Sequence, residues 1–289
     1  MSDKQKALIF ILLGSILGGA TQAVTKIGLV SIPPLSFAFV RFLIATIIIS
    51  PFLYKKNFLK LLWKLVPFSL LGTMNIIFFI LGIKTTTANI GTVLYAGVPI
   101  LSALFLFLIF KKRLSMVREL GIGIGFLGVV LVGLLPIIEK SSRFSGNLFG
   151  NMLIGIGVVS WSIYMVFSSR KLQIYSPFIV TSAFIWTTCI TLFPLFLIES
   201  SFYPSWWKTM TIPGTLSLGY ISIISTVIVY LLIQYAIKHG GSILASMQYY
   251  LVPIFAFVFA FFLLGERLTM GLIVGSVLAL LGVYITTKK

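Results

Sequence analysis

The sequence predicts an all-α membrane protein of ten transmembrane helices, arranged as two inverted five-helix repeats over residues 1–143 and 144–289. Three observations carry this prediction. Hydrophobic residues make up 59% of the chain and charged residues only 9%, with a mean hydropathy of +1.12, far outside the range of a soluble domain of this length. The apolar residues are gathered into runs long enough to cross a hydrocarbon core. The second half of the chain repeats the pattern of the first.

The runs lie near residues 7–27, 35–54, 65–83, 88–110 and 118–138, then 148–169, 177–198, 213–237, 242–264 and 270–287. Between them stand short gaps rich in Pro, Gly, Ser and Lys, as at Ile32-Pro33-Pro34 and Phe202-Tyr203-Pro204, with no room for an aqueous domain. The first run lacks a small-x-small cleavage site and reads as a retained helix.

The formal net charge of +17 does not point to nucleic acid, because the basic residues sit in the gaps and not along one surface. Anionic lipid headgroups are the partner for that charge. With the N-terminus inside, about 15 basic residues fall on the cytoplasmic side, among them Lys4, Lys60, Lys111, Arg170 and Lys238, against about 6 outside, including Lys26, Lys84 and Lys208. The expected location is therefore the cell (inner) membrane, multi-pass, with both termini cytoplasmic. A single cysteine, Cys189, excludes an intramolecular disulfide, and with one histidine, His239, no zinc-ligand set and no metal cofactor is expected.

Shifting the chain by 154 positions lays IKTTTANIGTVLYAGVPI at Ile83 on IKHGGSILASMQYYLVPI at Ile237 without a gap, with roughly 15 identities over about 51 positions. Tyr95 falls on Tyr249, Pro99 on Pro253, Arg113 on Arg267 and Gly128 on Gly282. A shift of 143 relates the earlier helices, setting Pro34 on Pro177, and the longer loop before helix 8 absorbs the difference. Because each half has five crossings, an odd number, the halves enter the membrane in opposite senses, an arrangement that serves alternating access in transporters.

The stretch IKHGGSILASMQYYLVPIFAFVFAFFLLGERLTMGLIVGSVLALLGVYI resembles the closing signature of the drug/metabolite transporter superfamily, EamA branch. The first half carries a weaker version, with Arg41 after Pro34 and KKRLSM where the later copy has GERLTM. Two departures stand out. Lys112 replaces the glutamate that Glu266 keeps, and Gly18 and Gly19 stand where helix 1 commonly has a tryptophan, while Trp161 occupies the matching place in helix 6. The resemblance implies a ten-helix carrier for small metabolites, often amino acids and often in the export direction.

Polar groups inside a span are costly unless paired, buried in the bundle or facing water, so they are the first candidates for a site. The candidate substrate-binding residues are Gln22, Asn75, Asn89, Tyr95, Trp161, Tyr164, Tyr230, Gln248 and Tyr249. Asn89, Thr92 and Tyr95 are spaced by three and share one drifting helix face. Tyr95 and Tyr249 are repeat counterparts, each shortly before a proline, and a ring with a hydroxyl suits a zwitterionic or amide-bearing metabolite. Arg41 is either a carboxylate contact or a structural group near the outer surface, able to snorkel or to bond a carbonyl. Lys84 and Lys238 read as boundary anchors, Glu266 with Arg267 as a local pair, and Gly121, Gly123, Gly125 and Gly128 as packing residues.

None of the five acidic residues, Asp3, Glu119, Glu139, Glu199 and Glu266, falls near the middle of a run, which argues for facilitated diffusion or exchange over proton coupling. The expected cargo is a small metabolite, with an amino acid favoured. The alternative reading, a membrane-embedded enzyme acting on lipid or lipid-linked sugar, needs a carboxylate pair, a metal set or a nucleophile with its base, and no such catalytic cluster is present. A transporter of a different metabolite or drug stays open, as does the choice between monomer and homodimer.

Overall fold

The computed structural model describes residues 1–53, 58–86, 88–138, 147–264 and 270–287, and among these there is no strand. The helices follow the apolar runs closely. In chain order they are α1 (Asp3–Gly19), α2 (Thr21–Gly28), α3 (Pro34–Ile49), α4 (Phe58–Thr85), α5 (Ala88–Tyr95), α6 (Val98–Phe110), α7 (Met116–Ile138), α8 (Leu148–Lys171), α9 (Pro177–Phe202), α10 (Ile212–Tyr220), α11 (Tyr230–Ser246), α12 (Gln248–Leu264) and α13 (Met270–Thr287). A π-helical stretch, Ile221–Val229, joins α10 to α11. Among the described residues six segments are long and apolar enough to cross a membrane: Asp3–Gly28, Pro34–Leu53, Phe58–Thr85, Leu148–Lys171, Pro177–Phe202 and Ile212–Ser246.

Local sequence explains where the helices start. Ser2 and Gln5 form a reciprocal capping box on α1. Pro34 and Pro177 occupy the first turns of α3 and α9, where a missing N–H does no harm, while Ser176 accepts from the Ile179 amide to cap α9. The N-terminus of α3 is capped from a distance. The buried carboxylate of Glu199, on α9, accepts from the Leu35 amide at 3.1 Å, the Ser36 amide at 2.6 Å and the Ser36 hydroxyl at 2.8 Å. A negative charge there meets both the free amides and the positive end of the helix dipole.

Several runs that the sequence presents as single spans are broken in the structure. The first divides at Ala20 and the fourth at Ala96–Gly97, while the ninth, which starts within the α11 range, divides at Met247. The turn between the eighth and ninth runs is made at Gly241, whose φ of 78° lies in the left-handed region that a side chain disfavours.

The helix ends sort into two groups. At one end the Asp3 carboxylate meets His239 Nδ1 at 2.9 Å, Lys4 donates to the Thr287 carbonyl, and Arg170 lies 4.1 Å from the Phe110 ring centre. At the other end Ser31 bonds Thr211 at 3.2 Å, Lys84 donates to the Leu29 carbonyl at 2.5 Å, and Glu199 caps α3. Lys84 is thus a cation on the C-terminal end of α2, more than a bare boundary anchor. Glu266 and Arg267 lie outside the described residues.

The outer surface is apolar: Leu12, Ile47, Leu127, Ile156 and Phe193 are all exposed, as suits a surface solvated by lipid. Inside, α7 and α13 pack along their length, α4 on α8, α1 on α11, and α3 on α9. The α7–α13 seam brings backbone against backbone. A Cβ at Gly128 would stand 2.5 Å from the Ala279 amide nitrogen and 2.6 Å from the Gly275 carbonyl, and one at Gly282 would stand 2.4 Å from the Gly125 nitrogen and 2.6 Å from the Gly121 carbonyl. The packing reading of Gly121, Gly125 and Gly128 therefore has a direct cause, whereas Gly123 has nothing within 4 Å of its Cβ position.

Candidate functional site

Where the broken helices meet, the bundle holds a partly open cavity of about 100 Å³. Of the residues singled out in the sequence, Gln22, Asn75, Tyr95, Trp161, Tyr230, Gln248 and Tyr249 line it, and so does Arg41. Tyr164 stands one layer behind: it is fully buried, stacks on Trp161 at 4.9 Å and on Phe68 at 4.6 Å, and accepts a hydrogen bond from Gln234 at 2.9 Å. Asn89 belongs to α5, and its side chain lies outside the described residues.

Each wall has its own polar device. Asn75, on α4, donates through its amide nitrogen to the Tyr95 hydroxyl at 2.6 Å and to the Gly157 carbonyl of α8 at 2.8 Å, tying three helices together. Thr92 donates to Gln22 Oε1 at 2.9 Å across the α5–α2 contact. Thr21 and Ser225 share a hydrogen bond of 2.9 Å beside the Ala20 break. The two repeat-related tyrosines meet, with ring centres of Tyr95 and Tyr249 5.5 Å apart. The prolines that follow them, Pro99 and Pro253, lack the N–H that would bond the carbonyl four residues back, which in each case is the tyrosine's own. Pro99 sits at the start of α6, whereas Pro253 lies inside α12.

Arg41 does not snorkel, and among the described residues it bonds no carbonyl. It is 2% exposed, its Nε donates to Thr226 Oγ1 at 2.8 Å, its Nη2 donates to the Tyr230 hydroxyl at 3.2 Å, and its guanidinium lies 5.0 Å from the Phe42 ring centre. Thr226 is placed by the π-helical stretch, where its hydroxyl donates to the carbonyl of Ile221, five residues back. The wider turn of a π-helix rotates Ser225 and Val229 onto the cavity and leaves Thr226 facing Arg41. Tyr230 is fixed between Trp161 at 5.6 Å and Phe184 at 5.1 Å. The Trp161 indole N–H is buried and finds no acceptor of good geometry; the Gln248 side-chain oxygen is likewise unpartnered and packs on Gly14.

Reading polarity along the sequence passes over Thr21, Ser225, Phe79, Val229 and Ile233, which also line the cavity. Helical spacing is the signal that finds some of them: Phe79 follows Asn75 by four and Ile233 follows Tyr230 by three. The repeat finds others. Cavity positions 154 apart come in pairs, Asn75 with Val229, Ile76 with Tyr230, Phe79 with Ile233 and Tyr95 with Tyr249, and 143 apart Gly18 pairs with Trp161. The cavity is lined from matching positions, but with different chemistry on its two sides.

Comparison with known proteins agrees with this architecture. An uncharacterized transporter of Archaeoglobus fulgidus is 29% identical over 270 residues, covering 91% of each chain. The uncharacterized inner membrane transporter YedA of Escherichia coli (strain K12) is 28% identical over 95% of this chain and 90% of its own, and the uncharacterized transporter YyaM of Bacillus subtilis (strain 168) is 27% identical over 97% and 93%. One solved crystal structure shares the fold with a TM-score of 0.77 at 18% identity, over 99% of this chain and 96% of that one. The model of the EamA-like transporter family matches residues 5–134 and 148–288, which together take in nearly the whole chain. The chain belongs to the EamA-like transporter family.

Proposed function

We propose that the chain is a secondary carrier that moves a small polar metabolite, an amino acid first among the classes, across the cell membrane by alternating access around this cavity. The observation that carries the reading is the cavity itself, lined from both halves of the chain at matching positions and built where helices break. Broken helices at the contact of two repeats let backbone and side chains face a solute without opening the outer surface to lipid.

The arrangement behind this reading is ten crossings in two inverted repeats, 1–143 and 144–289. The two family matches support it, and so does the packing, in which α1 lies on α11 as α4 lies on α8, with α3 on α9 and α7 on α13 as the self-related pairs. Two halves with nearly equivalent packings can rock against each other along the α3–α9 and α7–α13 contacts. The contact of Lys4 with Thr287 puts both termini at one end of the bundle, and the excess of lysine and arginine at that end favours the cytoplasmic side.

Among the described residues that line the cavity there is no Asp, Glu or His, so a titrating group for proton coupling is not at hand. The reading is facilitated diffusion, exchange or export along the cargo's own gradient. Counterflow tests it: purified protein in liposomes preloaded with unlabelled amino acids is offered a labelled amino-acid mixture without a pH gradient. Transient accumulation above the protein-free control is expected. Accumulation that appears only with an imposed proton gradient would overturn the coupling; none with amino acids or with other preloaded metabolites would overturn the carrier.

A further inference from the structure

We propose that the cavity recognises its cargo chiefly through one carboxylate docked on Arg41, so that a monocarboxylate without an amino group binds as well as the corresponding amino acid. This rests on the carrier reading above and names the chemistry of its site.

Arg41 is a charged group placed where charge is expensive. A guanidinium stays protonated at any physiological pH, and taking it out of water without a counter-charge is costly. Its two partners are the hydroxyls of Thr226 and Tyr230, both neutral, and among the described residues no carboxylate lies within salt-bridge distance of it. It is also held in place. Thr226 is bound to the Ile221 carbonyl and Tyr230 is wedged by aromatic rings, so the guanidinium is kept at the cavity and not released toward the surface. The missing counter-charge then has to come from the solute.

A second group asks for the same thing. The buried Trp161 N–H lines the same cavity, touches the same Tyr230 ring, and has only the Tyr249 hydroxyl near it, out of line for a good hydrogen bond. A carboxylate has two oxygens and one charge; it can neutralise Arg41 through a charge-assisted contact and still accept from a neighbouring N–H. A dianion such as phosphate would leave one charge unmet. An ammonium group, by contrast, meets only ring faces and amides, a weak attraction beside the neutralisation of a buried guanidinium. The carboxylate is therefore the anchor and the amino group an addition to it.

The test uses the purified full-length chain in detergent and reads thermal stabilisation by three matched series: leucine and phenylalanine, their deaminated acids 4-methylpentanoate and 3-phenylpropanoate, and their decarboxylated amines 3-methylbutylamine and 2-phenylethylamine. Both acid-bearing series should raise Tm and the amines should not. Arg41→Lys should need about tenfold more acid for the same shift, since an ammonium lacks the two-pronged geometry, and Arg41→Gln should lose the shift. Amines that stabilise as well as acids, acids that do nothing, or an acid-induced shift preserved in Arg41→Gln would each overturn the proposal. Where a variant does not fold, the wild-type comparison of the three series decides alone. Binding is read apart from transport, so failure of the counterflow experiment above would sink the carrier reading and leave this result standing.

Discussion

The seam between α7 and α13 and the cavity at the helix breaks both draw on positions that the sequence repeat relates, but in opposite ways. Along the seam the symmetry extends to the chemistry: Gly121 meets Gly282 as Gly275 meets Gly128, and Gly125 with Gly282 is matched by Ala279 with Gly128. Around the cavity the positions match and the side chains do not: Asn75 has Val229 as its counterpart, Ile76 has Tyr230 and Gly18 has Trp161. Close packing of two equivalent helices asks the same thing of both, namely small residues. A cavity wall is under no such demand, and there the repeat-related positions carry different side chains.

The sharpest way to break this comparison is at the seam. Leucine at Gly128 puts a Cβ 2.5–2.6 Å from backbone atoms that cannot turn aside, and the helices must separate. Gly128→Leu should cost at or above about 3 kcal/mol and sharply reduce folded protein recovered in detergent. Gly123→Leu, on the same helix but with open space at its Cβ, should be tolerated. Equal loss in both variants would show that leucine is rejected by the helix as a whole and not by the seam.

The next largest effect separates two helix starts that occupy matching places. Ser176 caps α9 from its own N-terminus, whereas α3, beginning at Pro34, is capped by Glu199 from another helix. Glu199→Ala removes three hydrogen bonds to a carboxylate and should lower stability by about 2–3 kcal/mol, and Ser176→Ala by about 1 kcal/mol. Thermal unfolding monitored in detergent measures both, and a larger loss for Ser176→Ala would contradict the assignment.

Within the cavity, Trp161→Phe keeps a ring between Tyr164 and Tyr230 but removes an N–H that no well-aligned acceptor holds. If that donor meets the cargo, transport should fall about tenfold with little change in Tm, the worth of about one hydrogen bond to a charged acceptor. A large loss of Tm with transport per folded molecule unchanged would assign Trp161 to packing.

Much of the fold was legible because the solvent is lipid: apolar runs and their Pro, Gly and Lys boundaries mark helices directly, and the predicted start at Pro177 is the observed one. The breaks at Ala20 and Met247 were not legible, since neither residue opposes a helix by itself and only packing selects them. In the site, amides and tyrosines stand out against an apolar background, which is why Gln22, Asn75, Tyr95 and Tyr249 could be named. Thr21 and Ser225 could not, because a hydroxyl in an apolar helix commonly bonds its own backbone, as Ser15, Ser162 and Ser222 do here. The role of Glu199 depends on a partner 163 residues away and has no local signal.

The smallest effect sharpens the comparison most, because it is confined to two tyrosines that the repeat makes equivalent. Tyr95 receives the Asn75 amide at 2.6 Å, while the residue 154 positions on from Asn75 is Val229, which has nothing to donate. Removing the Tyr95 hydroxyl leaves one N–H of a buried amide without its 2.6 Å acceptor, whereas removing that of Tyr249 takes away only the poorly aligned neighbour of the Trp161 N–H. Tyr95→Phe should therefore be less stable than Tyr249→Phe by about 1 kcal/mol in thermal unfolding, and Asn75→Ala should erase most of that difference in a double-mutant cycle. Equal losses would mean that the cavity is symmetric in energy although not in sequence.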